Sequence, residues 1–279
     1  MIAARYARRA LLALLLSALA AGAFAQPKQA PKEYSPEVGQ SGKDVVWVPT
    51  PQSLVDRMLE MAKVTPSDYV IDLGSGDGRT VITAAKRGTR AHGIEYNPDM
   101  VALSKRAAAK EGVSGKATFA KADLFESDFS QATVITMFLL PDINLKLRPK
   151  ILDLKPGTRI VSNSFTMGEW TADQTVSASE GCTSYCTAYL WVVPAKAEGS
   201  WRLPQGELNL TQTFQMLSGT LTTGGATAKI SNAKMSGDRI RFSVGGAQYT
   251  GRVNGGSMEG TVKSSDGTRK WSATRDGKM

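Results

Sequence analysis

Asp72-Leu73-Gly74-Ser75-Gly76-Asp77-Gly78-Arg79 is the stretch that decides the fold of this 279-residue chain. It follows the apolar run Tyr69-Val70-Ile71 and leads into Thr80-Val81-Ile82-Thr83-Ala84-Ala85-Lys86-Arg87, which suits a helix. A strand, a tight glycine turn and a helix start, in that order, build a pocket for a nucleotide-bearing cofactor. The glycines permit positive φ and let a ligand approach the main chain closely. The helix N-terminus behind them offers free N–H groups.

The spacing then selects the cofactor. A dinucleotide fingerprint reads G-x-G-x-x-G and seats a pyrophosphate on the helix N-terminus. Here the spacing is G-x-G-x-G, with Asp77 inside the turn and Asp72 at the strand end. Two carboxylates repel a pyrophosphate but tolerate a ligand carrying a sulfonium and an ammonium group. S-adenosylmethionine (SAM) therefore fits better than NAD, with cofactor contacts at Asp72, Gly74, Ser75, Gly76 and Asp77.

Three further elements follow at suitable distances. Ala91-His92-Gly93-Ile94-Glu95 reads as a second strand, ending in an acid 23 residues after Asp72. In a βαβ unit that acid reaches both ribose hydroxyls. Asn97-Pro98-Asp99 then starts a helix expected to run to about Glu111. Ala117 to Ala120 reads as a third strand, after which Asp123 is placed near the adenine amino group and Leu124 on the ring. Ala132 to Leu140 is a near-continuous apolar run, expected to be a central strand buried on both faces. It stops at Pro141-Asp142, at the carboxyl end of the sheet, where ligands bind in such folds.

These motifs resemble the class I SAM-dependent methyltransferases. More narrowly, they resemble the family containing the mitochondrial lysine methyltransferases of the ATP synthase c-subunit and of the adenine nucleotide translocase. The resemblance rests on Val48-Pro49-Thr50-Pro51, Asp72 to Arg79, Gly93 to Pro98, Asp123-Leu124-Phe125, Leu139-Leu140-Pro141, Leu147-Arg148-Pro149 and Leu154 to Ser162, and covers about residues 44–195. It implies methyl transfer to a protein or small-molecule acceptor, a lysine amine among the candidates. It also implies cofactor contacts extending to Glu95, Asn97, Asp123 and Leu124, and acceptor contacts at Thr50, Leu140 and Pro141. Asp142 is the candidate to bind or deprotonate an acceptor amine, with helix capping as its competing role. The N-P-P-Y type signature of amide and amine methyltransferases is replaced here by Phe138-Leu139-Leu140-Pro141-Asp142.

The rest of the chain sets the context. Met1 to Ala25 carries Arg5, Arg8 and Arg9, an apolar core at Leu11 to Leu19 and an exit pattern Ala23-Phe24-Ala25. This reads as a signal peptide, so the product is expected outside the cytosol, periplasmic or secreted, with retention as a membrane anchor the alternative. The core is shorter than the ~20 residues that span a bilayer. Residues 26–43, rich in Pro, Lys, Gln and Ser, read as a flexible linker, and 44–195 as the methyltransferase domain. Thr50-Pro51 is expected to cap and start a helix whose face carries Leu54, Val55, Met58, Leu59 and Ala62. Asp142 to Leu154 is expected to be a helix broken or kinked near Pro149, and Thr175–Ala178 with Tyr185–Val193 a closing hairpin. Together these predict a doubly wound, Rossmann-like α/β sheet with helices on both faces.

Cys182 and Cys186 are the two cysteines, close enough to form a small loop in an oxidising compartment or to remain free thiols. With one histidine, His92, already in a strand, no metal site is expected. Residues 199–279 change register: they hold fourteen of the 27 glycines, and runs such as Arg239 to Val244 alternate polar and apolar. Six or seven short strands are expected there, as a small antiparallel barrel or sandwich. Its apolar face is assigned Ile240, Phe242, Val244, Val253, Val262 and Trp271. The formal charge of +9 is concentrated in this segment, with 11 basic and five acidic residues, while 26–198 is neutral. Arg239, Arg241, Arg252 and Lys270 then suit an anionic envelope surface. Aromatics do not interleave with these charges, so nucleic acid is not expected as a partner. Export of a SAM site raises a competing reading: a SAM-binding or surface-binding module without turnover.

Overall fold

The computed structural model describes residues 33–276. The predicted leader 1–25 and positions 26–32 of the predicted linker lie outside the described residues. Five parallel strands form the centre of the first sheet: β1 (Tyr69–Leu73), β2 (Arg90–Glu95), β3 (Ala117–Lys121), β4 (Val134–Met137) and β5 (Arg159–Asn163). An antiparallel hairpin, β6 (Gln174–Ser177) and β7 (Thr187–Val192), completes it, giving the order β3-β2-β1-β4-β5-β7-β6. The strand order reverses between β1 and β4, which opens a crevice at their carboxyl ends.

Successive side chains of each strand face opposite sides, and helices cover both. Val70, Ala91 and Val134 pack with α1 (Gln52–Met61), α2 (Arg79–Lys86) and α3 (Pro98–Lys110). Ile71, Ile94 and Ile135 pack on the other side with α4 (Pro141–Leu152). This is the doubly wound α/β sheet expected from the sequence.

Several local expectations need correction. The apolar run 132–140 is a strand only over Val134–Met137, because Met137 faces the last paired positions, Leu73 of β1 and Ser162 of β5. Phe138 to Leu140 then leave the ladder and become pocket wall. Pro149 lies inside α4, and the helix continues to Leu152. Thr50 does not cap α1; Pro51 holds that position, and the buried Thr50 hydroxyl instead takes a hydrogen bond from Asn163 Nδ2. The end of the predicted linker is folded. Gly39 N donates to Trp47 O and Trp47 N to Gln40 O, making a small hairpin loop across the crevice.

The second module contains nine described strands rather than six or seven: β8 (Gly199–Leu203), β9 (Gly206–Thr213), β10 (Met216–Thr223), β11 (Ala226–Lys229), β12 (Ser231–Ser236), β13 (Arg239–Val244), β14 (Ala247–Asn254), β15 (Ser257–Ser264) and β16 (Gly267–Arg275). Eight of them close into an antiparallel barrel, because β9 pairs with both β8 and β10, while β11 adds to β10. Closure removes the exposed edges of an open sheet. Trp201, Leu208, Met235, Ile240, Phe242 and Trp271 fill the interior, with Val244 and Val262 only partly covered.

The barrel is packed against the first sheet, and both belong to one compact unit that starts at Pro36. Gln215 Nε2 donates to Thr171 O at 2.7 Å, Lys234 pairs with Asp173 at 2.8 Å, and Trp170 stacks on Phe214 with ring centres 5.9 Å apart.

Candidate active site

The glycine turn after β1 is built to admit a ligand. Gly74, Gly76 and Gly78 all have left-handed φ. A Cβ on Gly76 would stand 2.7 Å from the Trp47 indole nitrogen, and one on Gly78 would collide with Phe119 and Ser104. The turn is held by Gly74 N and Ser75 N, which both donate to Ile94 O, and by Ser104 Oγ, which donates to Gly76 O. Together the turn, the loop 39–50 and the ends of β2, β3 and β4 enclose a cavity of about 500 Å³, a size common for small-molecule sites.

Asp72, Gly74, Ser75, Gly76, Asp77, Glu95, Asn97, Asp123 and Leu124, the predicted cofactor contacts, all line this cavity. Their charges are handled individually. Asp72 is deeply buried, and desolvation pushes its carboxyl up to about 7, reinforced by the nearby charges of Asp77 and Glu95. The Thr136 hydroxyl donates to it at 2.6 Å and acts against that rise. Glu95 is fixed by two backbone amides, Gly76 N to Oε2 and Asn97 N to Oε1, both at 2.9 Å. Asn97 uses its side-chain oxygen to cap α3, accepting from Asp99 N and Met100 N. The Asp123 carboxylate pairs with Lys43, which holds it below the usual carboxylate range.

Asp77 departs from the sequence expectation, because its charge is not free to face a ligand cation. Arg79 grips it through Nε at 3.0 and 3.1 Å and through Nη2 at 2.6 Å. Arg79 Nη1 also donates to Thr50 O at 2.9 Å, tying the loop before α1 to the glycine turn. Neither Arg79 nor the roof formed by Lys43 and Trp47 was identified from sequence. Lys43 meets Asp123 80 residues away and Arg79 meets Thr50 O 29 residues away, contacts that no local spacing reports, whereas the Arg79–Asp77 pair is local.

At the acceptor end, Thr50 and Leu140 line the cavity, but Pro141 and Asp142 do not. Leu140 is the residue preceding α4, so Pro141 and Asp142 fall in the helix's exposed first turn. There a carboxylate complements the helix dipole. Asp142, the candidate base, and Pro141, a candidate acceptor contact, thus stand beside the cavity rather than in its lining. The wall is instead made by Phe138, Leu139, Leu140, Phe165 and Tyr185. Phe165 and Tyr185 were not anticipated, since each is isolated in its local sequence. Tyr185 sits in the loop closed by a Cys182–Cys186 disulfide, the paired alternative of the two left open by the sequence.

The donor set fits SAM. Asp72 and Glu95 are the acids here not paired with a basic side chain, so this end of the site suits a cation rather than a phosphate. The Ser75 hydroxyl is buried without a partner, and such a group calls for a ligand or water.

Comparison with known proteins agrees. A family model, the ANTKMT methyltransferase domain, matches residues 72–174. A protein-lysine N-methyltransferase from Saccharolobus islandicus is 45% identical over 152 residues, covering 53% of this chain and 94% of that protein. The human lysine N-methyltransferase of the ATP synthase c-subunit is 37% identical over 46% of this chain, and the match spans 54% of its length. A crystal structure described as an RNA methyltransferase from Salinibacter ruber, in complex with S-adenosyl-L-homocysteine, is 48% identical, covers 53% of this chain and 95% of that one, and superposes with a TM-score of 0.50. A glycine turn walled by carboxylates and relatives of this similarity lead to one conclusion: the chain is a SAM-dependent methyltransferase and belongs to the family that contains the protein-lysine N-methyltransferases.

Proposed function

We propose that this enzyme methylates the ε-amine of lysine in a protein acceptor. The observation that carries the reading is the apolar acceptor end, where Phe138, Leu139, Leu140, Phe165 and Tyr185 meet the cofactor cavity. Bound SAM supplies a methyl group on a cationic sulfur. Asp72 and Glu95 hold that cation's end of the site, while Leu124 and Asp123 flank the position expected for the adenine. A lysine amine has an unperturbed pKa of about 10.4 and must lose a proton before it can attack. The rings and leucines offer no carboxylate to hold the amine's proton, and the released proton passes to water. The similarity to the archaeal protein-lysine N-methyltransferase supports the same acceptor.

We further propose that the enzyme acts outside the cytosol and meets an anionic surface through its barrel. The leader pattern of residues 1–25 supports export, and the disulfide suits an oxidising compartment. Arg239 and Arg241 on β13, Arg252 on the adjacent β14 and Lys270 on β16 are all exposed. Arg239 stands directly opposite Arg252, whose charge is partly met by Asp238 at 2.9 Å.

The test is incubation of the full chain with methyl-labelled SAM and cell-envelope extract, followed by mass spectrometry. Label on lysine that is lost in Asp72→Asn is the expected result. Label that ribonuclease removes would refute the lysine reading in favour of RNA. Tight SAM binding with no labelled product would favour the non-catalytic module. Co-sedimentation with anionic but not neutral vesicles checks the barrel surface.

A further inference from the structure

We infer that Tyr185 is an acceptor-binding residue which, with Phe138 and Phe165, seats the ammonium group of lysine and its methylated forms, and that the Cys182–Cys186 disulfide positions it. This rests on the lysine reading above and names the residues that recognise the amine.

Three rings from three separate segments meet at one end of the cavity. Phe138 follows β4, Phe165 follows β5 and Tyr185 precedes β7. Their centres lie 6.0 Å (Phe138–Phe165), 5.1 Å (Phe138–Tyr185) and 6.1 Å (Phe165–Tyr185) apart. All three line the cavity, and Tyr185 remains 44% exposed. A ring cluster serving only the core would be covered. Ring faces attract a cation within ~6 Å of their centres, and rings this close act on one cation together. Five acids line the cavity: Asp72, Asp77, Glu95 and Asp123 belong to the cofactor end, and Asp44 lies beside Lys43 in the roof loop. The acceptor's charge is therefore met by π faces and leucines rather than by a carboxylate. That suits a group that must be neutral to react and becomes a methylated cation afterwards.

The backbone is shaped to present these rings. Ser164 and Tyr185 have φ of +58° and +55°, conformations that cost a non-glycine residue on the order of 1–3 kcal/mol each and gather at functional sites. Each is held in place. Ser164 N donates to Thr187 O, and Asn144 Nδ2 donates to Phe165 O and Thr166 O. Tyr185 lies between the bonded cysteines, and Cys186 O accepts from Ala178 N. A glycine or asparagine would fit a left-handed turn more easily, so a tyrosine there points to use of its ring.

The experiment measures methylation of poly-L-lysine by the full chain. Tyr185→Ala is expected to raise the acceptor KM about tenfold, the scale of one cation–π contact, with SAM affinity unchanged; Tyr185→Phe keeps the wild-type KM. The Cys182→Ser/Cys186→Ser double variant is expected to reproduce the rise, and combining it with Tyr185→Ala to add nothing. An unchanged KM in Tyr185→Ala, or fully additive losses, would overturn the inference while leaving the lysine reading intact. A wild-type protein inactive on lysine would sink that reading, and a second readout then decides. N-acetyl-trimethyllysine amide is titrated against ring-labelled tyrosine and followed by NMR, with Tyr185→Phe assigning the signal. A Tyr185 shift that vanishes in the double-cysteine variant supports the inference; no shift overturns it.

Discussion

Thr136 Oγ1 lies 2.6 Å from Asp72 Oδ1 and donates to it, joining the ligand-facing ends of β4 and β1 at positions directly paired in the sheet. This single neutral donor does not offset burial, so the Asp72 carboxyl stays protonated up to about pH 7. A cation in the cavity favours the ionised form. SAM affinity should therefore rise as pH increases toward 7, by up to about tenfold per unit, and level off above it. Calorimetry in buffers of different ionisation heat should show proton release on binding below pH 7. A flat profile between pH 6 and 8 would mean that Asp72 does not face the cation.

The same shift carries a stability consequence of opposite sense. The folded-state pKa is above the unfolded value of 3.8, so the contribution is fully present below about pH 4 and is lost as pH rises through 7. Asp72→Asn keeps an acceptor for Thr136 without a charge. It should raise the stability of the ligand-free protein at pH 8 by on the order of 1–3 kcal/mol while weakening SAM binding more than tenfold. Denaturant titration at pH 5 and 8 checks this, since the gain should shrink at the lower pH.

Gly76 combines φ of +53° with a Trp47 indole 2.7 Å from where a Cβ would stand. Gly76→Ala should cost roughly 1–2 kcal/mol from backbone alone, plus the displacement of Trp47. Adding Trp47→Ala should relieve the second part and leave the first. SAM binding followed by intrinsic fluorescence separates the two, and an alanine tolerated at no cost would show that the roof loop does not seat here.

What could be read from the sequence was what chemistry makes local. The glycine turn, Asp72, Glu95 and Asp123 sit at or just past strand ends because short apolar runs that read as strands stop there, and all line the cavity. Asp142 stands outside the cavity lining because the chain past Leu140 enters the exposed first turn of α4. Lys43, Phe165 and Tyr185 were illegible, since their roles come from contacts between segments far apart in sequence, and Arg79 was missed although its partner Asp77 is local. The barrel was foreseen in class but not in strand number: β9 and β10 are rich in Thr, Ser, Asn and Gln, and their alternation is weaker than that of β13.

Lys43 reaches from the roof loop to the Asp123 carboxylate and lies 4.9 Å from the centre of the Tyr96 ring. Both partners of the ion pair are partly exposed, and such pairs add little to stability. Lys43→Ala should thus leave the melting temperature nearly unchanged. It should instead loosen the roof, raising SAM association and dissociation rates several-fold with a smaller change in Kd. Stopped-flow measurements at two salt concentrations test this, because the wild type should approach the variant as salt screens the pair. Equal rates at low salt would show that the loop does not gate the cofactor.

Gln215 is nearly fully buried and donates to Thr171 O across the joint between sheet and barrel. Its backbone carbonyl also accepts from Met235 N, so one residue links β12 to the loop before β6. Removing the amide leaves the part-buried Thr171 carbonyl without its partner and a gap at the buried Gln215 position, at a cost of about 1–3 kcal/mol. By contrast, the Lys234–Asp173 pair can be rehydrated when broken, because Lys234 is only partly covered. Gln215→Ala should therefore lower the melting temperature by several degrees, and Lys234→Ala by less. Since Trp170 and Phe214 stack across the same joint, sheet and barrel should still unfold in one calorimetric transition in the wild type. Two separate transitions there would show that the barrel is an independent appendage, and the cost of Gln215→Ala would then fall on the barrel's transition alone.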